Sequence, residues 1–470
     1  MAPRYSSVAV IGAGPSGISA IKALSEENIF DRVHLFERRE RAGGTWLYDE
    51  DPEPFSPSPT QPEYQPPVQL PASTLPLPEH LTSRTGIYPA LVSNVGAEVM
   101  SFTYKPFPVD NSAVSVHRYG PFNPTRPWQT IAKYIEEVAE PFTHLISLYT
   151  HVERMRKVGA KWVITLRKTD HKFKGEQRDF WWQESFDAVI VATGHYSVAH
   201  VPNISGLPAT WRALPDAFEH SKAYRLPDRY VSKKVVVVGG NLSASDTVSE
   251  LYDIVSGPLY VSQRGHNNEM DGAWNLPNVL IKPQISHISA SLTSGVKVRF
   301  ADGSEVDNVD KVHFATGYQL SYPFLDPNPV TPSGRMAAFY QHIFNIADPS
   351  LAVVGQVKSA ISLRVYEYQA VAVARCFAGR GGGLPSSKEQ DEWEVNRLQY
   401  KGPTASFHEI KPDYGEYFES LRKIAGKEGG ELPEWQDDWA LKGFAVFQLK
   451  AEWWKRLKEE ERKNRISAKL

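Results

Sequence analysis

The sequence predicts an α/β protein in which one domain built on a parallel sheet is inserted into a second domain of the same kind. Two strand–turn–helix units with glycine-rich turns carry this prediction, and they begin at Ser7 and Lys234. Two short apolar segments that end in Thr-Gly, residues 187–194 and 312–317, stand on either side of the second unit. Because parallel strands of one sheet require crossover connections, we expect the chain to cross between the domains near residues 200 and 320.

The first unit is expected to form a strand, a helix and a second strand. Residues 7–11 are a short, nearly continuous apolar run, which is typical of a parallel strand buried on both faces. Apolar residues at helical spacing follow from Ile18 to Leu24, and a second strand is expected over residues 32–36. This order places the glycine turn between a buried strand and the start of a helix.

The turn of the first unit has the sequence Gly12-Ala13-Gly14-Pro15-Ser16-Gly17. Its first glycine permits the tight turn, its second lets backbone amides approach a pyrophosphate, and its third lets the helix pack closely on the strand. The positive end of the helix then faces the phosphates. Glu37 lies twenty residues beyond the last glycine, where a carboxylate accepts ribose hydroxyls and repels a 2′-phosphate. FAD or NAD therefore fits this Rossmann-like unit, and NADP does not.

The turn of the second unit departs from this pattern, with Gly239, Asn241 and Ala244 at the three glycine positions. Asn tolerates left-handed backbone angles better than most residues, and Ala is accepted at the third position. The strand that follows, residues 258–261, leads to Arg264 instead of an acid. A guanidinium suits a 2′-phosphate, so we expect this unit to bind NADPH. A solvated surface position for Arg264 is the alternative.

Residues 51–80 interrupt the first domain with a segment that is dense in Pro, Ser and Gln. Such a composition cannot maintain a helix or a central strand, so we expect a long surface insertion. A solvated loop is the simpler interpretation of a segment of this kind. A lid or a contact arm is the alternative.

These units divide the chain into two dinucleotide-binding Rossmann-like domains, with the NADPH domain inserted in the FAD domain. The expected parts are the first part of the FAD-binding domain (1–200), the NADPH-binding domain (201–325), and the second part of the FAD-binding domain with a helical tail (326–470). In the tail, a helix rich in Lys and Glu is expected over residues 451–464, docked by Trp453 and Trp454. A partner-binding role for this helix is the alternative.

The composition excludes several classes of protein. A formal net charge of −2 gives no electrostatic attraction to nucleic acid or to anionic lipid. No run of about 18 apolar residues is present, so we predict no membrane span. Cys376 is the single cysteine, so neither an internal disulfide nor a CxxC redox pair can form. We predict no metal site.

Two dinucleotide sites on one chain imply hydride transfer from a nicotinamide to a flavin. Disulfide reductases of this design need a pair of cysteines near the flavin, which Cys376 alone cannot supply. The remaining electron acceptors are O2, a quinone or a separate electron carrier.

Further segments give the chain a resemblance to the flavin-containing monooxygenase family that extends over nearly its whole length. The segments that carry it are Gly43-Gly44-Thr45-Trp46 after Glu37-Arg38-Arg39, residues 88–95 followed by Met100-Ser101-Phe102 and Pro106-Phe107-Pro108, Ala315-Thr316-Gly317-Tyr318, and residues 348–355. They are similar, in this order, to the family's flavin-contacting GGxW segment, to the stretch that brings an asparagine over the flavin, to the ATGY segment that links the two domains, and to the last strand returning to the flavin.

The resemblance implies that NADPH reduces FAD and that a C4a-hydroperoxyflavin then oxygenates a soft nucleophilic N or S atom of a small molecule. It implies a catalytic role for Asn94, whose amide can both donate and accept a hydrogen bond near the flavin. An asparagine that merely forms a turn is the alternative. The residues expected to bind the cofactors are Gly12, Gly14, Pro15, Ser16, Gly17, Glu37, Arg38, Gly44, Thr45, Trp46, Asn94, Val152, Gly239, Asn241, Leu242, Ser243, Ala244, Arg264, Thr316 and Gly317.

The family's linker signature is only half present. His220 and Tyr224 match it, while Leu214 and Asp216 stand where the family has Phe and Gly. The Tyr224 side chain, where Baeyer–Villiger enzymes usually have Trp, favours oxygenation of a heteroatom. A structural role for His220 is an alternative to a chemical one. The alternative functions are a Baeyer–Villiger or N-hydroxylating monooxygenase of the same architecture, an uncoupled NADPH oxidase or flavin reductase, and a non-catalytic flavoprotein.

The final residues resemble a targeting signal. Ala468-Lys469-Leu470 is a variant of the Ser-Lys-Leu peroxisomal address, so we expect a cytoplasmic or peroxisomal protein and, in the second case, a peroxisomal import receptor as a partner. The other expected partners are a small-molecule substrate and O2, with no nucleic acid. A homodimer is the default expectation for an enzyme of this size.

Overall fold

The structure is a computed structural model that describes residues 4–291 and 293–467. Its strands are β1 (Ser7–Ile11), β2 (Arg32–Phe36), β3 (Ala72–Thr74), β4 (Ile146–Ser147), β5 (Thr150–Val158), β6 (Lys161–Phe173), β7 (Glu176–Phe186), β8 (Ala188–Val191), β9 (Val198–Ala199), β10 (Phe218–His220), β11 (Val235–Val238), β12 (Leu259–Ser262), β13 (Val279–Lys282), β14 (Ile285–Ala290), β15 (Val296–Phe300), β16 (Glu305–Val309), β17 (Lys311–Phe314), β18 (Tyr318–Gln319), β19 (Leu325–Asp326), β20 (Phe339–Tyr340), β21 (Phe344–Asn345) and β22 (Leu351–Val353). Its helices are α1 (Pro15–Glu27), α2 (Ala97–Met100), α3 (Ala113–Tyr119), α4 (Trp128–Ala139), α5 (Leu207–Ala213), α6 (Leu242–Leu251), α7 (Asp271–Trp274), α8 (Ser362–Ala378), α9 (Ser387–Lys401), α10 (Tyr414–Ala425) and α11 (Asp438–Ser467).

The first sheet contains seven strands in the order β20-β21-β22-β8-β1-β2-β4. The strands from β22 to β4 are parallel, and β21 and β20 continue the sheet antiparallel at one edge. Strands β8 and β22 are neighbours, with Val189 opposite Leu351, although about 160 residues separate them in the chain. The chain therefore leaves this sheet after β8 and returns to it at β22.

The second sheet forms from the intervening residues. It contains five parallel strands in the order β10-β17-β11-β12-β13. Each strand–turn–helix unit supplies two adjacent parallel strands to its own sheet, β1 and β2 to the first and β11 and β12 to the second. The predicted fold class is therefore confirmed. The limits at residues 200 and 325 stay a prediction.

The two chain crossings between the sheets lie side by side. Strand β9 on the outward crossing and β18 on the return crossing pair antiparallel, with Ala199 opposite Tyr318 and Val198 opposite Gln319. Such a two-stranded link fixes the relative position of both connections. It also places Gly317 beside the outward crossing, where the Gly317 carbonyl accepts from the His200 amide at 2.8 Å.

The apolar pattern of the sequence explains the main core. Ile18 and Ile21 of α1 and Val365 and Val373 of α8 are fully buried in one cluster with Val10 of β1. The helical spacing predicted for α1 therefore marks the face that packs on the sheet. The opposite face of the first sheet is covered by the sheet β19-β5-β6-β7-β3.

The segment 51–80, called the arm below, forms the short strand β3 and otherwise has no regular structure, but it is packed against the protein. The Phe55 ring stacks on Phe218 and Phe314 of the second sheet, with ring centroids 5.7 and 5.3 Å away. Glu53 forms an ion pair with the buried Lys222. These contacts favour a contact arm over a solvated loop.

The tail helix is longer than the sequence suggested, because α11 begins at Asp438 and not near residue 451. The predicted docking by its aromatic residues is confirmed: Trp453 and Trp454 are buried against the second sheet's domain, and the Trp454 indole donates to Ser249 Oγ at 2.6 Å. Near the start of the helix, the Gly443 carbonyl accepts from the Gly96 amide at 2.9 Å. The helix thus contacts both domains.

None of the helices in the described part of the chain is long and apolar enough to cross a membrane. The predicted peroxisomal address, residues 468–470, lies outside the described residues. The peroxisomal import receptor and the homodimer stay predictions.

Candidate active site

The main cavity of the protein encloses about 220 Å³ at the carboxyl ends of the first sheet's parallel strands, which is the usual ligand position in such sheets. The segments that line it follow β1, β2, β8 and β22. The predicted residues among its lining are Gly12, Gly14, Pro15, Ser16, Glu37, Arg38, Gly44, Thr45, Trp46 and Val152.

The glycine turn forms one wall of the cavity, and its geometry requires glycine at two places. Gly12 has a φ of +100°, and a Cβ there would lie 2.8 Å from the Ala192 carbonyl oxygen. A Cβ on Gly17 would lie 1.8 Å from the Gly12 carbonyl oxygen. Helix α1 begins directly after Gly14, with Pro15 at its first position, so that its positive end faces the cavity.

Glu37 is held in the cavity wall by the backbone. Its Oε2 accepts from the Ala13 amide at 2.6 Å and its Oε1 from the Arg39 amide at 2.8 Å. The side chain is buried, yet each carboxylate oxygen keeps a second lone pair that can accept a hydroxyl. This arrangement fits the ribose contact predicted for Glu37.

Arg38 contributes a positive charge to the same part of the cavity. Burial lowers the pKa of its guanidinium, and the neighbouring Glu37 opposes that shift. Arg38 Nη2 donates a long hydrogen bond to Ser197 Oγ, at 3.4 Å. A half-buried guanidinium with unused donors suits an anionic or oxygen-rich ligand.

The segment after β8 supplies two buried polar atoms that have no hydrogen-bond partner among the described residues, Thr193 Oγ1 and His195 Nε2. The His195 Nδ1 lies 3.2 Å from the Gly355 carbonyl oxygen, which assigns the proton to Nδ1 and leaves Nε2 as an acceptor. Burial, assisted by the Lys358 ammonium, lowers the pKa of His195 to about 3. His195 is therefore neutral at pH 7, and both atoms are ready for a polar ligand.

His80 and His151 line the other side of the cavity. Together with Glu153 they form a cluster whose possible ligand atoms lie within 4.8 Å of one another. Burial is the main cause that lowers the pKa of both histidines. The guanidinium groups of Arg38 and Arg167 lower it further. Arg167 Nε also donates to Glu153 at 2.6 Å. A metal ion at this cluster would meet these positive charges, so the cluster suits a neutral ligand better than a cation.

The structure does not bring every predicted residue to the cavity lining. Gly17 lies beneath it in α1, and Thr316 and Gly317 follow β17 in the linker between the domains. Asn94 is half-buried in a turn, where Ser93 Oγ donates to the Val95 carbonyl. The roles predicted for these four residues stay predictions.

The second glycine turn lies in more open surroundings. Asn241, Ser243 and Arg264 are exposed, while Gly239, with a φ of +149°, approaches the Ala315 carbonyl so closely that a Cβ would lie 2.4 Å from the oxygen. The left-handed conformation considered for Asn241 is wrong. Its φ is −131°, and its side chain caps α6 by accepting from the Leu242 amide at 3.0 Å.

Several site residues could not be found from motifs. Tyr196 and Tyr366 line the cavity together with His195, and the buried Gln263 lies against the second glycine turn, with its Nε2 lacking a partner among the described residues. Tyr196 and His195 follow a Thr-Gly segment directly, which was the one signal available for them. Tyr366 belongs to α8 and gives no such signal.

The linker histidine has a structural contact. His220 Nδ1 accepts from the Lys222 amide at 3.1 Å and so caps a short turn. Burial lowers the pKa of His220 to about 3, and a hydrogen bond with the Gly317 backbone opposes that shift. Tyr224 is buried with its ring edge against Tyr88, 5.3 Å between centroids. These contacts fit the structural interpretation of His220.

Comparison with protein families gives three matches along the chain. The Flavin-binding monooxygenase-like model matches residues 259–431. The model for pyridine nucleotide-disulphide oxidoreductases matches residues 99–342, and the NAD(P)-binding Rossmann-like domain matches residues 10–79. Among curated proteins, the flavin-containing monooxygenase ustF2 of Aspergillus flavus is 26% identical, with 87% of this chain and 89% of that protein covered. The flavin-containing monooxygenase FMO GS-OX-like 9 of Arabidopsis thaliana is 29% identical, with 87% and 84% covered.

The chain belongs to the flavin-containing monooxygenase family. The enzyme is therefore a monooxygenase that uses FAD and NADPH. Among solved structures, the S-allyl-L-cysteine S-oxygenase of Allium sativum superposes with a TM-score of 0.70 over 97% of this chain and 98% of that one, at 24% identity. Cyclohexanone monooxygenase superposes with a TM-score of 0.54 at 14% identity, over 90% of this chain and 97% of that one. At these identities the likeness shows the fold.

The residues of the main cavity fit FAD. Buried polar atoms without a partner among the described residues, on Thr193, His195 and His80, all belong to side chains that line it. A cavity built around water would satisfy such atoms less well than a polar ligand of fixed shape. The glycine turn, Glu37 and Arg38 add the phosphate and ribose contacts that a dinucleotide needs.

Proposed function

We propose that this flavin-containing monooxygenase transfers one oxygen atom of O2 to a soft nucleophilic nitrogen or sulfur atom of a small molecule. FAD, reduced by NADPH, supplies the oxygen activation when both are bound. The observation that carries the proposal is the neutrality of the cavity groups beside the Thr-Gly segment. A nucleophile with its own lone pair needs no base to attack an activated oxygen, whereas a proton-abstracting reaction does.

The described side chains give this neutral character a physical cause. Burial lowers the pKa of His195 to about 3 and raises the pKa of Tyr366 above its ordinary range. Neither group titrates near neutral pH. Their role is to hold donors and acceptors in place, because neither side chain is an effective base at that pH.

The two cofactors are proposed to occupy the two glycine turns. FAD lies in the main cavity, with Glu37 accepting from its ribose and α1 facing its pyrophosphate. NADPH lies at the second turn, where Arg264 is free of ion pairs among the described residues and can bind the 2′-phosphate. Asn94 is proposed to contact the flavin, as the resemblance to the family implies.

Two observations favour a heteroatom over a ketone as the acceptor. The structural relative from Allium sativum is named as an S-oxygenase, and this chain has Tyr224 in the linker where Baeyer–Villiger enzymes usually have Trp. A disulfide reductase is disfavoured because Cys376 is the single cysteine of the chain. It is also buried in the main core, where burial raises the pKa of its thiol.

The test supplies the FAD-loaded enzyme with NADPH and ¹⁸O2 and offers a thioether, a tertiary amine and a cyclic ketone in parallel. We expect a sulfoxide or an N-oxide that carries one ¹⁸O atom, with one NADPH consumed for each product molecule. An ester from the ketone, with no heteroatom product, would move the enzyme to the Baeyer–Villiger class. Hydrogen peroxide equal to the NADPH consumed, with every substrate returned unchanged, would identify an NADPH oxidase.

A further inference from the structure

His80, at the end of the arm, lies in the cavity wall. It is 4% exposed, and its Nδ1 has no hydrogen-bond partner among the described residues. Its ring lies 4.9 Å from the His151 ring, and both residues line the cavity. A buried polar atom without a partner costs free energy unless a ligand satisfies it.

The neighbouring Arg167 decides which ring nitrogen of His80 carries the proton. Arg167 Nη2 lies 3.5 Å from His80 Nε2, and a guanidinium can only donate. Arg167 itself is fixed by Glu153 at 2.6 Å and Asp179 at 2.7 Å. Since Nε2 faces a donor, the neutral imidazole carries its proton on Nδ1. The partnerless atom is therefore an N–H donor that requires an acceptor.

The position of His80 identifies the part of FAD that it can reach. The Arg38 guanidinium is close enough to lower the pKa of His80, and Arg38 follows Glu37, the residue proposed to hold the ribose. Strand β5, which carries His151 and Val152, forms the adjoining wall. His80 therefore lies at the adenosine end of the cavity, where the adenine ring nitrogens are the available neutral acceptors.

The arm holds His80 in this place through a buried cluster. The Tyr64 ring lies 4.8 Å from the His80 ring and 5.2 Å from the Arg167 guanidinium carbon, and the Leu77 amide donates to Asp179 at 3.0 Å. At the arm's middle, Gln319 Nε2 donates to the Pro59 carbonyl at 2.7 Å. The arm is thus fastened on both sides of the residue Gln61, which also lines the cavity.

We propose that the arm completes the FAD site, with His80 donating a hydrogen bond from Nδ1 to a ring nitrogen of the adenine. Arg167 is a positioning residue that fixes the tautomer, and Tyr64 fastens the arm over the adenosine. The inference rests on the proposed placement of FAD in the main cavity. It explains why a proline-rich segment outside both sheets is packed so closely.

The test compares apo-protein reconstituted with FAD and with FMN, which lacks the adenosine half. The variants are His80→Phe, which removes the donor, and His80→Asn, whose amide can replace it. Leu75→Ala is the matched control, since Leu75 is an arm residue that is 68% exposed. We expect His80→Phe to weaken FAD binding about tenfold, the effect of one lost buried hydrogen bond with its partner left unpaired, and to leave FMN binding unchanged. His80→Asn recovers most of the loss.

Other results would overturn the assignment. Unchanged FAD binding in His80→Phe, or equal weakening of FAD and FMN, would mean that His80 only supports the fold of the cavity. If His80→Phe does not fold, Tyr64→Leu provides the second measurement: a faster release of FAD, with FMN unaffected, is expected from a loosened arm. Failure of the wild-type protein to bind FAD would instead contradict the proposed function.

Discussion

The two glycine turns of this enzyme share a topology but differ in their surroundings. At the first turn, Glu37 is buried and tied to the backbone of the turn, and the arm covers the far side of the cavity. At the second turn, Asn241 and Arg264 are exposed. The first site is enclosed by distant parts of the chain, and the second is bounded mainly by its own unit.

This difference matches the different duties of the two cofactors. FAD must remain bound through each catalytic cycle, so the site proposed for it gains from walls supplied by the arm, the Thr-Gly segment and α8. NADPH must enter and leave once in every cycle, and an open site permits this exchange. The same supersecondary unit therefore serves for retention or for exchange, according to what the rest of the chain places around it.

The largest effect that separates the two turns is expected at their third positions. Gly17→Ala places a Cβ 1.8 Å from the Gly12 carbonyl oxygen, so the turn must open and the pyrophosphate contacts are lost. We expect protein purified with almost no flavin, measured by visible absorbance against total protein. Ala244→Gly is the control in the second turn, where the side chain is already accommodated. It should keep its full flavin content and lose only about 1 kcal/mol of stability, the helix cost of glycine.

A flavin content equal to that of the wild type in Gly17→Ala would contradict this view of the first turn. It would mean that the backbone relaxes by more than an ångström without harm to the site. The two turns would then differ in exposure alone, and not in how tightly their geometry is fixed.

The sequence was sufficient to predict those parts of the site that are built from residues close together in the chain. Gly12 and Gly17 belong to a local turn, and Glu37 ends the next strand, so their arrangement follows from one strand–turn–helix–strand unit. The long insertion of one domain into the other was also readable, because Thr-Gly segments follow strands of both sheets. These features depend on spacing along a short stretch of chain.

The sequence was not sufficient to predict contacts that distant residues make through tertiary packing. His195 takes its tautomer from Gly355, about 160 residues away, and His80 takes its own from Arg167. No local pattern encodes either contact. The composition of the arm suggested exposure, because Pro-rich segments lack backbone hydrogen bonds of their own, whereas Phe55 and Tyr64 bind it to the protein through their rings.

A medium effect is expected from Arg264→Gln at the open turn. Removing the guanidinium proposed to bind the 2′-phosphate should raise the KM for NADPH about tenfold, the value of a charged hydrogen bond at an exposed site. The KM for NADH and the flavin content should stay at wild-type values. Steady-state kinetics with both nucleotides measure the change in preference. Arg212→Gln, on α5 of the same domain, is the control for general loss of charge.

Equal weakening of NADPH and NADH in Arg264→Gln would show that the residue supports the fold of the turn and does not read the 2′-phosphate. Selection of NADPH would then belong to another polar group, and Gln263 is the nearest candidate, because its amide nitrogen is buried without a partner among the described residues. With either result, the first site would still be enclosed and the second site would still be open.

The smallest effect is expected from Asn241→Gly, which restores glycine at the middle position of the second turn. Because Asn241 is in an extended conformation with a φ of −131°, glycine relieves no backbone strain there. It removes the cap on the Leu242 amide and a long contact from Asn267 Nδ2, at 3.4 Å. Loss of the cap to glycine costs a few tenths of a kcal/mol, about half a kcal/mol less than replacement by alanine. We expect an unchanged midpoint in urea within error and a KM for NADPH within about twofold of wild type, because the open turn already admits the pyrophosphate. A tenfold gain in NADPH affinity would show that the Asn241 side chain obstructs the phosphates, and the second turn would then be a weakened site instead of an open one.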